Sequence, residues 1–351
     1  MERHLCIKKI FSVFMILFIG VPLMAQSEKG FKIVEKAGQS QIDILFNNKL
    51  LTSYVYSDTI KKPILFPLNS LDGITVTRGY PIFKVSGERT DHPHHTGVWL
   101  NYESVNGLDF WNNSNFIAPE RRHRYGTILH KEIGHQKAGK KKAFITATAS
   151  WVRQDKIVLL DESSIYHFEV YKNAFIIDRI TTLTASDSTV LFKDVKDGMF
   201  AIRVARELEL PSREKSNYID DKGNSTTVEP SSQGVTGMYY SSNGMRGDSV
   251  WGTKGNWVMI TGKKENKTIT IAMLDHPSNI GYPSYWHARG YGLFSVNPLG
   301  RKIFSNGAEE LNLTLKPKEK VTFRYRIIVH SGAGFSTAEM NKWALDFSKI
   351  K

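Results

Sequence analysis

One short segment of the 351-residue chain gathers side chains that could do acid–base chemistry. Residues 90–101 read Thr-Asp-His-Pro-His-His-Thr-Gly-Val-Trp-Leu-Asn, so three histidines fall within four positions. In an extended segment His92 and His94 share a face, and His95 points to the opposite one. Such imidazoles can act as general acid and base with Asp91 orienting a ring, or they can bind zinc or copper if another ligand comes from elsewhere. A structural, hydrogen-bonded loop is the third interpretation, and the segment alone leaves all three open.

A second segment repeats the Asp-His-Pro motif. Asp275 and His276 follow a predicted strand at 268–274, and the ends of strands are where sites on β scaffolds usually lie. Aromatic faces and hydrogen-bond donors suited to a sugar follow at Tyr285, Trp286, His287 and Arg289. The alternative is a Gly- and Pro-rich loop whose aromatic side chains cover the core.

Three further side chains are candidates. Arg203 interrupts the apolar run 198–205, where it forms either a buried ion pair or an anion clamp. Glu103 and Asp109 are a candidate carboxylate pair for glycoside hydrolysis. Several other chemistries lack their motifs, because the sequence has no Gly-x-Ser-x-Gly elbow, Walker loop, dinucleotide fingerprint or His-Glu-x-x-His.

The N-terminus has the layout of a secretory signal peptide. Basic residues precede an apolar run at 10–23, and a polar stretch follows, so we expect cleavage after Ala25. Cleavage would remove Cys6, the only cysteine, which excludes thiolate and Cys-metal chemistry from the mature chain. It would also remove three positive charges and one negative charge, so the net charge of +13 becomes +11. The remaining excess predicts an anionic partner.

Short runs of β-branched and aromatic residues alternate with turn residues over most of the chain. The alternating pattern predicts antiparallel strands at 41–46, 50–56, 98–102, 143–151, 165–171, 268–274 and 321–330. Ser336 and Glu339 form a capping box before an apolar 3–4 spacing, which predicts a C-terminal helix. The polar stretch 207–234 is either a binding rim or a disordered insertion. We therefore predict one all-β domain over 26–351, a large antiparallel β-sandwich of which the galactose-mutarotase-like supersandwich is one form.

Four blocks of sequence carry a resemblance to a known family. They are residues 72–78, 91–99, 106–111, and 275–279 together with 286–289. Over residues 60–330 the chain resembles a bacterial family long labelled methane oxygenase, PmoA-like. A membrane oxygenase needs several spans, and the sequence has none after its signal, so that label does not suit this chain. The resemblance implies carbohydrate degradation, because the family includes dehydratases that act on uronic-acid-ended oligosaccharides of the algal polysaccharide ulvan.

Eliminating water from a uronate end needs a cation for the carboxylate, a base and an acid. The expected catalytic residues are His94, His95, His276 and His287, with Tyr285 as an alternative proton carrier. The expected substrate contacts are Arg289, Arg203, Trp286 and His92. The expected orienting carboxylates are Asp91 and Asp275. The sequence does not show whether the two histidine clusters share one cleft.

These expectations define a function with named alternatives. We expect an exported, periplasmic or secreted dehydratase with an acidic oligosaccharide as substrate, no nucleic acid partner and no membrane span after signal cleavage. We predict no cofactor and leave a divalent metal open. The same residues would serve a polysaccharide lyase, a glycoside hydrolase or a non-catalytic sugar-binding protein.

Overall fold

The computed structural model describes residues 2, 29–212, 214–228 and 232–350. The predicted signal peptide, residues 1–25, lies outside the described residues apart from Glu2. In chain order the strands are β1 (Phe31–Lys36), β2 (Gln41–Phe46), β3 (Lys49–Val55), β4 (Ile64–Leu68), β5 (Val98–Tyr102), β6 (Thr127–Ala138), β7 (Lys142–Val152), β8 (Val158–Tyr171), β9 (Ala174–Ala185), β10 (Val190–Phe192), β11 (Gly198–Arg203), β12 (Ser216–Ile219), β13 (Ser225–Val228), β14 (Met238–Ser241), β15 (Trp257–Lys264), β16 (Lys267–Asp275), β17 (Tyr285–Ala288), β18 (Leu293–Asn297), β19 (Leu313–Leu315) and β20 (Lys320–Ser331).

Helices are few. The two α-helices are α1 (Arg301–Phe304) and α2 (Thr337–Phe347), and short 3-10 segments occur at Pro119–Arg124, Arg206–Leu208 and Gly247–Val250. Neither described α-helix has the length and apolar character that a membrane span requires.

Two eight-stranded antiparallel sheets form the sandwich that the alternating pattern predicts. The first sheet has the order β1-β2-β3-β4-β5-β11-β18-β17, and the second has the order β14-β15-β16-β20-β9-β8-β7-β6. Two-stranded pairs β10-β19 and β12-β13 complete the described strands. The predicted all-β class is therefore confirmed, and strands distant in the sequence are neighbours in the first sheet.

The predicted strands at 41–46 and 50–56 form a hairpin in which local chemistry sets the register. Asn47 and Asn48 have positive φ angles of 50° and 63°, which suits the two-residue turn that joins β2 to β3. β3 begins one residue earlier than predicted, because Lys49 already pairs with Phe46. Alternate side chains then point into the sandwich and out of it.

The core lies between the facing sides of the two sheets. Its aromatic side chains interlock across the gap: the rings of Phe200 on β11 and Tyr325 on β20 stack with centroids 5.1 Å apart, and those of Tyr54 and Tyr166 are 5.4 Å apart. Large aromatic rings bury much apolar surface. Because the sequence has one cysteine, Cys6, it cannot form a disulfide within the chain, and this interface is the main source of stability.

The predicted helix α2 covers the outer face of the second sheet. Its Ser336 side chain accepts a hydrogen bond from the Glu339 backbone N–H at 3.2 Å, and the Glu339 carboxylate accepts one from the Ser336 N–H at 2.8 Å. Met340 and Phe347 are fully buried against the sheet. The capping box and apolar spacing therefore produce the helix that they predicted.

The outer face of the first sheet carries a second, smaller set of buried residues. Trp99, Ala201, Ser295 and His287 are directly opposite one another on four neighbouring strands, β5, β11, β18 and β17. Their chain neighbours on the same strands point into the core, because successive side chains of a strand alternate between faces. The outer face is therefore free to carry a site.

Candidate active site

A cavity of about 550 Å³ opens on this outer face, and both histidine clusters line it. The first cluster contributes Asp91, His92, His94 and His95, and the second contributes His287 and Arg289. The other lining residues are Arg89, Trp111, Asn112, Lys196, Asp197, Glu214, Lys215, Ser216, Trp251, Tyr291 and Leu293. The structure thus brings together two segments that are almost 200 residues apart in the sequence.

Alternation along β17 decides which residues of the second cluster reach the cavity. His287 lies on the outer face and Trp286 on the inner one, where Trp286 packs in the core and its indole Nε1 donates to the Gly255 carbonyl at 2.9 Å. Arg289 follows directly after β17, and its backbone N–H donates to the Leu293 carbonyl in the turn to β18. Trp286 is therefore a core residue and not the expected substrate contact.

Two buried arginines hold Asp91 behind the cavity. Arg203 Nη2 and Arg78 Nη1 donate to the same carboxylate oxygen at 2.7 and 2.8 Å, and His92 Nδ1 lies 2.9 Å from the other oxygen. Burial alone would raise the pKa of Asp91. The pKa is nevertheless held below its usual range by the charge of Arg203, the hydrogen bond with His92 and the charge of Arg78. Asp91 is therefore ionised, and it both orients His92 and neutralises the arginines.

Arg78 also ties down the histidine loop itself. Its Nη2 donates to the backbone carbonyls of His92 at 2.9 Å and of His95 at 3.1 Å. Arg203 in turn contacts His95, with 3.3 Å between Nη1 and the ring Nδ1. Arg203 is thus both a buried ion-pair partner and an anchor of the site, rather than a group that faces the cavity.

The rings of the first cluster form a stack. His92 lies between Tyr291 and His95, with centroid separations of 4.8 Å on each side, and His95 stacks on Trp99 at 5.4 Å. Since arginine can only donate, His95 Nδ1 accepts from Arg203, and the proton of the ring is on Nε2. The buried Nε2 atoms of His94 and His95 have no hydrogen-bond partner among the described residues.

Burial sets the protonation of these rings. It lowers the pKa of His94 and of His95 well below the usual value, and nearby Lys62, Arg203 and neighbouring rings act in the same direction. Both imidazoles are therefore neutral at neutral pH, and a neutral imidazole can accept a proton or donate a hydrogen bond.

His287 has its own carboxylate neighbour. Its Nδ1 lies 3.3 Å from Asp197 Oδ1, and the imidazole is 3% exposed. Burial, with Lys196 and Arg289 nearby, lowers the pKa of His287 to about 3. The ring is a neutral base beside a carboxylate, and that carboxylate is Asp197 and not Asp275.

Two cations of the cavity are available to an anion. Arg289 is exposed, its guanidinium lies 5.6 Å from the Trp251 ring and 5.9 Å from the Tyr291 ring, and it has no carboxylate partner among the described residues. Lys196 is half-exposed, with its Nζ at 3.7 Å from Asp197. Arg89, in contrast, already donates to Glu209 at 2.8 Å.

Two of the expected proton carriers, Tyr285 and His276, lie away from the cavity. The hydroxyl of Tyr285 donates to Glu309 at 3.3 Å, so Tyr285 belongs to a surface ion-pair group with Lys254. His276 contacts Ser278 and the edge of Phe347 under helix α2. Neither its imidazole nor the Tyr285 phenol lines the cavity. The Asp-His-Pro loop leaves β16 in the other sheet, and the Tyr285 ring stacks on Phe304 with centroids 5.5 Å apart.

Asp275 organises its own loop and does not orient an imidazole side chain. It accepts from the Asn279 amide at 2.8 Å and from the Ser284 backbone N–H at 2.9 Å. Burial raises its pKa to about 6. The second Asp-His-Pro motif is therefore a turn that closes the end of β16.

The candidate hydrolase pair also lies outside the cavity walls. Asp109 accepts from the backbone and side chain of Asn112 at 2.8 and 2.9 Å. Burial and the charges of Asp197 and Asp109 raise the pKa of Glu103 to about 7, but Glu103 opens toward a separate surface depression with Lys302. The two carboxylates do not face each other across the cavity.

Within residues 29–212, 214–228 and 232–350 no three His, Cys, Asp or Glu side chains are arranged to hold a metal ion.

A family model for a domain of unknown function, DUF6807, matches residues 41–344, which is most of the chain. The chain belongs to the DUF6807 family. No curated protein matches it.

Two solved structures are similar to this chain at low sequence identity. The GH36 alpha-galactosidase AgaB from Geobacillus stearothermophilus is 11% identical with a TM-score of 0.41, covering 86% of this chain and 41% of the galactosidase. The galactose 1-epimerase from Lactobacillus acidophilus is 11% identical with a TM-score of 0.36, covering 87% of this chain and 100% of the epimerase. The chain thus spans about two fifths of the galactosidase's length. Similarity at this level does not identify a substrate.

Several lining residues of this DUF6807 member were not expected from its sequence. They include Tyr291, Trp251, Asp197 and Lys196. Tyr291 lies in the turn between β17 and β18, two positions after Arg289, so it could have been found from its place in the motif. Asp197 and Lys196 precede β11 without any motif. Residues 214–216 of the polar stretch 207–234 do line the cavity, as a binding rim would.

Proposed function

We propose that the protein is a carbohydrate-active enzyme that removes water from the uronic-acid end of an anionic oligosaccharide. The observation that carries the proposal is the meeting of neutral imidazoles, the exposed Arg289 and the half-exposed Lys196 in one cavity of about 550 Å³. A volume of this order accommodates a small ligand. Aromatic side chains in the wall, Trp251 and Tyr291, suit the C–H faces of a sugar.

The proposed reaction is a β-elimination at a uronate. A base removes the C5 proton, which is acidic because it is next to the carboxylate. The C4–O bond breaks, the leaving hydroxyl takes a proton from an acid and departs as water, and a C4=C5 double bond forms. The carboxylate carries additional negative charge at the intermediate, so cations near it stabilise the transition state.

Three residues have the properties that the reaction needs. Arg289, with Lys196, would bind the carboxylate, since its planar fork matches two oxygens. His287 would take the C5 proton, because it is neutral and Asp197 would stabilise the imidazolium that forms. Tyr291 would protonate the leaving hydroxyl, because burial raises its pKa and its phenol keeps the proton at neutral pH.

The histidines of the first cluster would orient the sugar. The unpartnered Nε2 atoms of His94 and His95 can each bind a hydroxyl, and His92 contributes its stacked ring. The positive net charge of the chain would attract an acidic glycan, and the signal-like N-terminus would place the enzyme in the periplasm or outside the cell.

One assay tests the proposal directly. The protein is incubated with uronate-ended oligosaccharides, and the ultraviolet absorbance of the conjugated unsaturated uronate is followed together with product mass. Rising absorbance with loss of one water supports the dehydratase. Shortened chains with rising absorbance would instead identify a lyase, and shortened chains without it a hydrolase. Binding without any change in mass would leave a non-catalytic sugar-binding protein.

A further inference from the structure

A second cavity of about 370 Å³ lies beside the first, and we call it the lysine cavity. His94 lines both cavities, so the two adjoin at this residue. The described residues that line the lysine cavity include the cations Lys61 and Lys62 but no aspartate or glutamate. Its electrostatic character is therefore positive.

Lys62 is the unusual residue of this cavity. It is 3% exposed, its ammonium donates to the His94 backbone carbonyl at 2.7 Å, and it lies 5.3 Å from the centre of the Trp99 ring. It forms no ion pair with a carboxylate among the described residues. Burial lowers its pKa to about 7, which the charge of Asp109 only partly offsets. A buried ammonium with one carbonyl partner has two donors left and no counter-ion, so an incoming anion would be strongly favoured.

The mouth of the lysine cavity is apolar and aromatic. Phe116 is 65% exposed and Ile82 41% exposed, although both line the opening. The Tyr80 ring lies 6.4 Å from that of Phe116. Side chains of this kind are usually buried, and exposed aromatic rings at a cavity mouth suit the face of a sugar ring. The buried amides and hydroxyls of Asn113 and Ser114 add polar groups inside.

We propose that the lysine cavity binds the sugar unit that adjoins the uronate end, and that Lys62 binds an oxyanion substituent on that unit. The substituent is a sulfate or a carboxylate, since both present the same oxygen acceptors to an ammonium group. This inference rests on the proposed function, because it takes the ligand of the first cavity to be the end of an oligosaccharide. It adds that the enzyme recognises two consecutive charged units.

Calorimetric titration with three disaccharides tests this proposal. All three carry the same uronate end, and their second units are sulfated, carboxylated or neutral. We expect at least one charged disaccharide to bind about tenfold to a hundredfold more tightly than the neutral one, which is the effect of a hydrogen bond to a charged group. The charged unit that gives the gain identifies the substituent. Equal affinities for all three would overturn the proposal.

The Lys62→Met variant links the gain to the residue. Methionine has a similar length and no charge, so we expect the variant to fold and to bind all three disaccharides with the affinity that the wild type has for the neutral one. A gain that persists in Lys62→Met would overturn the assignment of Lys62.

Phe116→Ala keeps the test decisive if Lys62→Met does not fold. The Phe116 side chain is exposed, so truncating it leaves the core intact. We expect Phe116→Ala to bind every disaccharide about three- to tenfold more weakly and to bind a uronate monosaccharide with unchanged affinity. Leu345→Ala, which truncates a 60% exposed side chain on helix α2, is the matched control and should bind all ligands normally. Equal behaviour of the two variants would contradict a sugar platform at the cavity mouth. If a charged second unit strengthens binding but no dehydration occurs, the proposed reaction is refuted and the site for the second unit stands. If dehydration occurs but binding gains nothing through Lys62, the site for the second unit is refuted and the proposed reaction stands.

Discussion

Replacing Arg289 by alanine removes the proposed carboxylate contact without disturbing the fold. The guanidinium is exposed in the cavity, lies over Trp251 and Tyr291, and has no carboxylate partner among the described residues. Its loss therefore leaves no buried charge unpaired, and we expect the free energy of unfolding to change by less than about 0.5 kcal/mol.

The expected loss of activity follows from the contact itself. A bidentate guanidinium makes two hydrogen bonds to a carboxylate, each worth about 1.5–3 kcal/mol when the groups are charged. Because Arg289 is open to solvent, we take the lower end for both bonds, which gives about 3 kcal/mol. At about 1.4 kcal/mol for each factor of ten, kcat/KM should fall about 100-fold. The effect should include kcat, because the carboxylate gains charge in the transition state.

Initial rates of the absorbance increase measure this loss. The matched control is Arg246→Ala, since Arg246 is also exposed and stacked on an aromatic ring, Tyr240 at 5.1 Å, but does not line the cavity. Arg289→Lys keeps the charge without the planar fork and should give an intermediate rate. The reasoning is refuted if Arg289→Ala retains a rate within about twofold of the wild type. An equal loss in Arg246→Ala would also refute it, because the effect would then not come from the cavity.

Three further changes probe the base, a buried carboxyl and the C-terminal helix. His287→Ala should lower kcat/KM about 10²–10⁴-fold. The control is His123→Ala, which changes a histidine on an exposed 3-10 segment and should keep the wild-type rate. Equal rates in the two variants would exclude His287 as the base. Burial raises the pKa of Asp275 to about 6, so the contribution of this carboxyl to stability is present below pH about 4 and lost as the pH rises through about 6. In urea unfolding, the free energy of unfolding of the wild type should fall over this range by about 3 kcal/mol more than that of Asp275→Asn. Parallel pH profiles of the two proteins would contradict this. Ser336→Ala removes the N-terminal cap of α2 and should lower the free energy of unfolding by about 1 kcal/mol while activity stays normal. The control is Ser348→Ala at the other end of the helix, where the hydroxyl donates to the Leu345 carbonyl. A comparable loss of stability in Ser348→Ala would argue against the cap.

The strands were the part of the fold that local pattern could predict. Alternation gave β5 at 98–102 and placed β7, β16 and β20 within a residue or two, because period-two burial is a local property. The sheet order was not predictable in this way. The neighbours β5, β11, β18 and β17 are joined by segments of about 95, 89 and 4 residues, and no local pattern reports such pairings.

The same distinction holds for the site. The His92–His95 segment and the His287–Arg289 segment were identifiable from residue type and spacing. The cavity excludes His276 because a repeated Asp-His-Pro motif can end a strand in either sheet. It excludes Tyr285, although this residue shares a face of β17 with His287, because the Tyr285 ring packs on Phe304. Asp197 was missed since its partner, His287, is 90 residues away in the sequence. Contacts of that kind appear only once the chain is folded.

The row of residues Trp99, Ala201, Ser295 and His287 has a consequence for how this protein can change. Each lies between core residues of its own strand, yet none points into the core. His287 of this row and Leu293 line the cavity, whereas the buried Trp99, Ala201 and Ser295 lie beneath it. Substitutions at His287 and Leu293 therefore alter the cavity wall without replacing a side chain between the two sheets, because successive residues of a strand point to opposite faces. Selection on ligand preference and selection on folding can thus act on alternate residues of the same strands.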